Sequence, residues 1–294
     1  MISFDTPQYF RIAGITLQVQ GLPSESILHP IKSHFTDSGP GEDNIQIRHH
    51  IGLPEIDFDI HSRPLICNAL WEVYYQTSKW IYLGVPVSQG SPFHLIALFN
   101  HDHTLGDIYH PDDQVLWAKN SVPLSIIPTD QILLSRLLAD RQACLLHACG
   151  MVIQNHGLVF VGHSEAGKTT TARMLKDQGE LLCDDRIIIR RWPEGFQVHG
   201  TWSHGEIAEV SAGSAPLRAV FVLEKALENR IIQLDPGQVV RTLPQFVIKG
   251  VITRDWWENI LDTIAQLAQQ VPVYRLRLDK SGAVKTLIHD FLNH

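Results

Sequence analysis

The sequence predicts an α/β chain in two parts: a smaller, strand-rich mixed α/β domain over residues 1–128, then a P-loop-containing α/β domain over residues 129–294. Three observations carry that expectation. The first part reads as strands punctuated by Pro and Gly clusters such as Ser38-Gly39-Pro40-Gly41. Beyond residue 130 the style changes to short apolar runs, the mark of strands buried on both faces. One of those runs leads straight into a glycine loop and then a helix-like stretch.

In order along the chain, strands are expected at residues 10–20, 45–50, 80–83 and 94–98. Ile132, Leu133 and Leu137 recur at helical spacing over Gln131–Ala139, with Thr129 as the expected N-cap. Buried-sheet runs follow at 144–146, 157–161, 181–183, 187–189 and 217–223, with a helix over 169–178 between the second and third. An amphipathic helix over 256–268, whose Trp256 and Trp257 are expected to pack into the core, and a strand over 273–278 complete the pattern.

Composition narrows the function classes. Of 294 residues, 44% are hydrophobic and 19% charged, the balance of a globular chain. A formal net charge of -7 argues against general affinity for nucleic acid or an anionic membrane. No stretch offers the ~20 apolar residues that cross a bilayer. The N-terminus, Met1-Ile2-Ser3-Phe4-Asp5, lacks the basic start and apolar run of a signal peptide. A reducing, cytoplasmic protein is therefore expected. Cys67, Cys144, Cys149 and Cys183 show no CxxC spacing and read as reduced thiols, three of them in apolar runs.

Gly162-His163-Ser164-Glu165-Ala166-Gly167-Lys168-Thr169, followed by Thr170, fits the G-x-x-x-x-G-K-[ST] pattern. Glycines permit a tight turn whose N–H groups surround phosphate oxygens, and the helix that follows adds its own free N–H groups and positive dipole end. Lys168 supplies a point charge for the β/γ-phosphates, and the Thr169 hydroxyl suits Mg²⁺. The run before the loop and the helix-forming run after it supply the required context, so ATP with Mg²⁺ is the expected ligand.

Asp184 and Asp185 close the apolar run at 181–183. Ligands in open parallel sheets bind beyond the carboxyl ends of the strands, so both acids are expected beside the loop, pointing to opposite faces and doing different work. One would serve the metal and the other would take a proton from an attacking hydroxyl. Glu206, in Gly200-Thr201-Trp202-Ser203-His204-Gly205-Glu206, is a further oxygen ligand candidate, and His204 a phosphate or substrate contact. His147 ends an apolar strand, where a core role and a place facing the terminal phosphate are both open. Arg173 and Arg186 have two readings, phosphate neutralisation and salt bridging.

Taken together, Leu146-His147-Ala148, residues 162–169, residues 182–186 and residues 200–206 resemble the core of the HPr kinase/phosphorylase-like proteins. The nearer likeness is to the shorter HPr-kinase-related serine kinases, some of which phosphorylate biosynthetic precursor peptides. The resemblance covers residues 143–225. It implies a nucleotide-binding core shared with phosphoenolpyruvate carboxykinases and transfer of the γ-phosphoryl group of ATP to a hydroxyl. It also implies Asp184 as general base, with Lys168 and Thr169 on phosphate and Mg²⁺, and Asp185 and Glu206 in the metal and phosphate region. Glu165 and Ala166 depart from the Gly-x-Ser-Gly-x-Gly-Lys-Ser loop usual in those enzymes, and the glycine-rich segment they place after the metal glutamate is missing. Both departures point away from HPr as the acceptor.

The expected partner is a peptide, protein or small-molecule hydroxyl acceptor, recognised in part by residues 1–128; a homo-oligomeric state is left open. The alternatives are a small-molecule kinase and an ATP-sensing module without catalysis. Residues 100–114 are dense in His101, Asp102, His103, Asp107, His110, Asp112 and Asp113, but Gly106 and Pro111 favour a polar loop over a metal site.

Overall fold

The computed structural model describes residues 6–22, 30–55, 58–59, 62–67, 71–84, 95–112, 130–279 and 282–293. The chain divides into two compact units, Met1–Leu137 and Leu138–His294. The division falls inside the helix Gln131–Ala139, later than the boundary expected at residue 128. Thr129, the expected N-cap of that helix, lies outside the described residues.

In the first unit β1 (Gln8–Ile12), β2 (Ile15–Gln20), β3 (Thr36–Asp37), β4 (Asp43–Ile51), β5 (Ile66–Cys67), β6 (Trp71–Gln76), β7 (Lys79–Gly84), β8 (Leu95–Asn100) and β9 (Leu105–His110) form one nine-stranded sheet. Its order is β3-β1-β2-β4-β9-β8-β7-β6-β5. Two expectations are corrected here. Residues 10–20 are not one strand, because Ala13 and Gly14 take φ of 48° and 80° and fold the run into the β1–β2 hairpin. Of the stretch 100–114, expected as a polar loop, residues 100–110 are not one: a tight turn after Asn100 leads into β9, which lies between β4 and β8, and residues 113–114 lie outside the described residues. The alternation was masked because His110 occupies an inward position, fully buried, with its Nε2 2.9 Å from His49 Nδ1. Among the described residues no three His, Cys, Asp or Glu side chains gather to hold a metal ion; Asp113 lies outside them.

The second unit holds an eight-stranded sheet of β10 (Ala143–Ile153), β11 (His156–Val161), β12 (Glu180–Cys183), β13 (Arg186–Trp192), β14 (Gly195–His199), β15 (Ser214–Lys225), β16 (Arg230–Gln233) and β17 (Val273–Leu278). The long β10 is shared: its first half pairs with β13 and its second half with β11 and β12. Because β11 also pairs with β15, and β14 joins β15 to β13, the strands β10, β11, β15, β14 and β13 close into a ring.

The sheet is mixed, where the sequence suggested a parallel one. A two-residue turn at Gln154 and Asn155, with φ of 51° and 63°, folds β10 and β11 into a hairpin. Both β11 and β12 run antiparallel to β10, so they point the same way and end at the same edge of it, Val161 opposite Ala148 and Cys183 opposite Gly150. That shared edge is what brings the glycine loop and the aspartates together.

Strand alternation feeds two cores. From β11, Val159 and Val161 join Trp256, Ile260, Ile264 and Leu267 of the helix Arg254–Gln270. Leu158 and Phe160 join Ala172 and Leu175 of the helix Lys168–Leu175 and Val284 and Ile288 of the helix Val284–Asn293. Among the described residues no helix is long and apolar enough to cross a membrane.

Candidate functional site

The loop leaves β11 at Gly162, makes a tight turn through the Ala166 N–H to His163 carbonyl bond (3.0 Å), and enters the helix Lys168–Leu175. Glu165 and Gly167 both carry positive φ, 65° and 110°; the Gly167 value is one that a Cβ makes costly. No side chain caps this helix, so its first N–H groups are left without an intrahelical partner or a capping oxygen. Lys168, on the first turn, is only 8% exposed. Its ammonium folds back on the loop, donating to the Gly162 carbonyl at 2.9 Å and the His163 carbonyl at 3.2 Å. Burial lowers its pKa, against the opposing pull of Asp185, Cys149 and Asp184. Among the described residues it makes no ion pair with a carboxylate.

Asp184 and Asp185 follow β12 in a bend instead of ending the strand, and the bend separates their surroundings. Asp184 is 2% exposed. Its Oδ1 accepts from the Gly205 N–H at 2.6 Å, and its Oδ2 from the Ile207 N–H at 3.0 Å and the Thr169 hydroxyl at 3.5 Å. The segment around Glu206 is thus wrapped on Asp184 through its backbone. A Cβ on Gly205 would stand 3.1 Å from Oδ2, which explains a glycine there.

Asp185 belongs to a second cluster. Its Oδ1 lies 3.0 Å from His147 Nδ1, and its Oδ2 pairs with the Arg186 guanidinium at 2.5 Å. Burial pushes its carboxyl up, but the His147 hydrogen bond and the charges of Arg186, His147 and Lys168 outweigh it and hold the pKa below the ordinary carboxylate value. His147 and Arg186 face each other in the β10–β13 pairing, so sheet register itself assembles this trio.

Glu206 points elsewhere: its carboxylate, 70% exposed, pairs with Arg173 at 3.1 Å. His204 is exposed, with its Nδ1 3.0 Å from the neighbouring Gly205 carbonyl. Ser164, Glu165 and Thr170 are exposed on the loop and first turn, and Ala166 is half-buried. The structure therefore gathers Lys168, Thr169, Asp184, Asp185 and His147 at one sheet edge, and leaves the carboxylate of Glu206 on a surface ion pair. It adds neighbours that sequence reasoning missed: the Phe246 ring lies 5.2 Å from that of His163, and Val247 bridges to Leu146 beside His147. Phe246 sits in a 3-10 turn, Leu243–Phe246, whose place beside the loop depends on a contact far apart in sequence, so no local signal marks it.

The donor set suits a nucleotide and its metal in different degrees. A buried ammonium whose partners are neutral carbonyls, beside uncapped helical N–H groups, fits a phosphate. For Mg²⁺ the protein oxygens at hand are few, Thr169 Oγ1 with Asp184 Oδ2; a magnesium ion that keeps waters and phosphate oxygens needs no more than one or two.

The model of the family described as SynChlorMet cassette protein ScmC matches residues 124–293. Among solved structures, the HPr(Ser) kinase/phosphatase from Coxiella burnetii is similar at 14% identity, covering 51% of this chain and 93% of that one, with a TM-score of 0.31. No curated protein sequence matches the chain.

Proposed function

The chain belongs to the SynChlorMet cassette protein ScmC family, and within it we propose that this protein is an ATP-dependent kinase acting on a hydroxyl, a serine of a peptide or protein. The observation that carries the reading is Lys168: a nearly buried cation on an uncapped helix start, held by two carbonyls with no carboxylate in ion-pair contact among the described residues. Burying a charge is costly unless an opposite charge accompanies it, and a nucleotide's terminal phosphates would supply that charge.

In this reading Lys168 exchanges its two carbonyls for β- and γ-phosphate oxygens, and the loop from Gly162 to Thr170 encloses them. Bound Mg²⁺ supplies neutralisation of the phosphate charge; Thr169 would hold it. Asp185 would join the metal only on giving up Arg186, and Glu206 only on giving up Arg173. Asp184, oriented by the Gly205 and Ile207 amides, takes the proton as the acceptor oxygen bonds to the γ-phosphorus and the bond to the β-phosphate oxygen breaks, releasing ADP. His147 keeps the Asp185 carboxylate oriented.

The test is to incubate the protein with MgATP and a panel of serine peptides, free amino acids and sugars, and to weigh the products for added phosphate. Asp184→Asn should slow transfer at least a hundredfold while calorimetry shows ATP binding retained. Lys168→Ala should weaken ATP binding about tenfold or more. Unchanged ATP affinity in the lysine variant would remove the loop from the argument; transfer at the wild-type rate in the asparagine variant would remove Asp184 from its role.

A further inference from the structure

The tryptophan pair expected in the core separates in the structure. Trp256 is fully buried, whereas Trp257 is half-buried with its ring stacked on Trp256 at 5.5 Å and 16°. Trp257, Ile252, Thr253, Arg254 and Lys249 line an open depression of about 310 Å³. Ile252 is 51% exposed, an apolar side chain presented to solvent beside an indole that its neighbour holds rigid. The Lys249 ammonium lies 5.7 Å from the Trp257 ring centre and pairs with no carboxylate among the described residues. Arg254 reaches Glu258, one turn along the helix, in an exposed pair at 2.8 Å that holds it weakly. Among the described residues no carboxylate lines the depression, in a chain that is acidic as a whole.

This depression is tied to the nucleotide loop by a short piece of chain. Phe246 touches His163, Val247 bridges to Leu146, and the Ile248 N–H donates to the Leu145 carbonyl at 2.8 Å. Lys249 comes next, so no more than about 10 Å of extended backbone separates it from the residue that contacts the loop. A polypeptide held at Trp257 therefore sits beside the stretch of chain, residues 246–249, that runs to the loop at His163.

We propose that the depression docks the acceptor polypeptide, gripping a segment in which an acidic residue adjoins an apolar one. The apolar side chain lies on Trp257 and Ile252, while the carboxylate meets Lys249 and Arg254. The docking site deepens the kinase reading and rests on it only for calling the docked chain the acceptor.

The full chain, without nucleotide, is titrated against a fluorescein-labelled hexapeptide alternating glutamate and leucine, and against the same peptide with lysine for glutamate, following anisotropy. The acidic peptide binds and the basic one does not. Lys249→Glu weakens binding at least tenfold, as does Trp257→Ala, with Trp257→Phe recovering most of it should the alanine variant fail to fold. MgATP affinity is the same in the Lys249 variant as in the wild type. Equal binding of both peptides, binding of neither, or loss of ATP affinity in the Lys249 variant overturns the proposal, the last by giving the depression to the nucleotide. Failure of the kinase reading itself would show separately, as a wild-type chain that binds no ATP.

Discussion

His147, Asp185 and Arg186 share one carboxylate between two basic side chains, and this makes a pH-dependent contribution to stability whose sign follows from the direction of the shift. Asp185 has a folded-state pKa below its unfolded value of about 3.9. Its contribution is therefore complete above that value and is lost as pH falls through the folded pKa. Asp185→Asn leaves both partners without their anion, at a cost of about 1–3 kcal/mol at neutral pH. Urea unfolding of variant and wild type should show that gap in full at pH 7 and pH 5, and shrinking below pH 4. A gap that stays constant down to pH 3 would mean the carboxylate's charge is not what matters. The thiols nearby are governed by burial: Cys144 is pushed up to about 12, and Cys149 and Cys183 are raised too, so three of the four cysteines are unreactive core residues. Cys67 is the exposed one.

At the scale of elements, the strand–loop–helix unit was legible because its signals are local. An apolar run, glycines at fixed offsets and a helix-forming run each act within a few residues. Thus β11 and the loop stand where the sequence puts them, while the helix expected over 169–178 spans Lys168–Leu175 and gives way to a turn at 176–178. Gly167 is the pivot of that unit. Its φ is 110°, and a Cβ added there would have nothing within 4 Å, so Gly167→Ala meets no clash and suffers only backbone strain, about 1–2 kcal/mol. The strain is relieved by re-aiming the helix start, so ADP affinity measured by calorimetry should fall about tenfold; an alanine variant with wild-type affinity would show that the loop does not need this dihedral. What escaped the sequence depends on partners distant in the chain. Cys183 ends β12 because β10 stops pairing with it there, which no pattern in residues 181–185 reveals. The β10–β11 turn had a readable signal in Asn155, whose side chain tolerates positive φ. The hairpin at Ala13 and Gly14 had a weaker one.

Across the whole molecule, each unit has its own sheet, and every side chain assembled at the loop comes from Leu138–His294. A strand-rich α/β chain was readable from composition and run length; strand order was not, because β4 between β2 and β9, or β15 between β14 and β11, is fixed by pairings many residues apart. That division of labour can be tested without knowing the acceptor. Ligand binding suppresses opening of the segments it stabilises, so amide hydrogen exchange maps a nucleotide onto the chain. With MgATP, slowed exchange should appear in residues 162–171, through Lys168 and the first helical turn, and in residues 183–186 and 203–207, which bend around Asp184 and carry the amides that hold it. Strands β1 to β9 should exchange at their unliganded rates. Protection confined to the nine-stranded sheet would move the nucleotide to the other unit, and with it every role given to Lys168, Thr169 and Asp184.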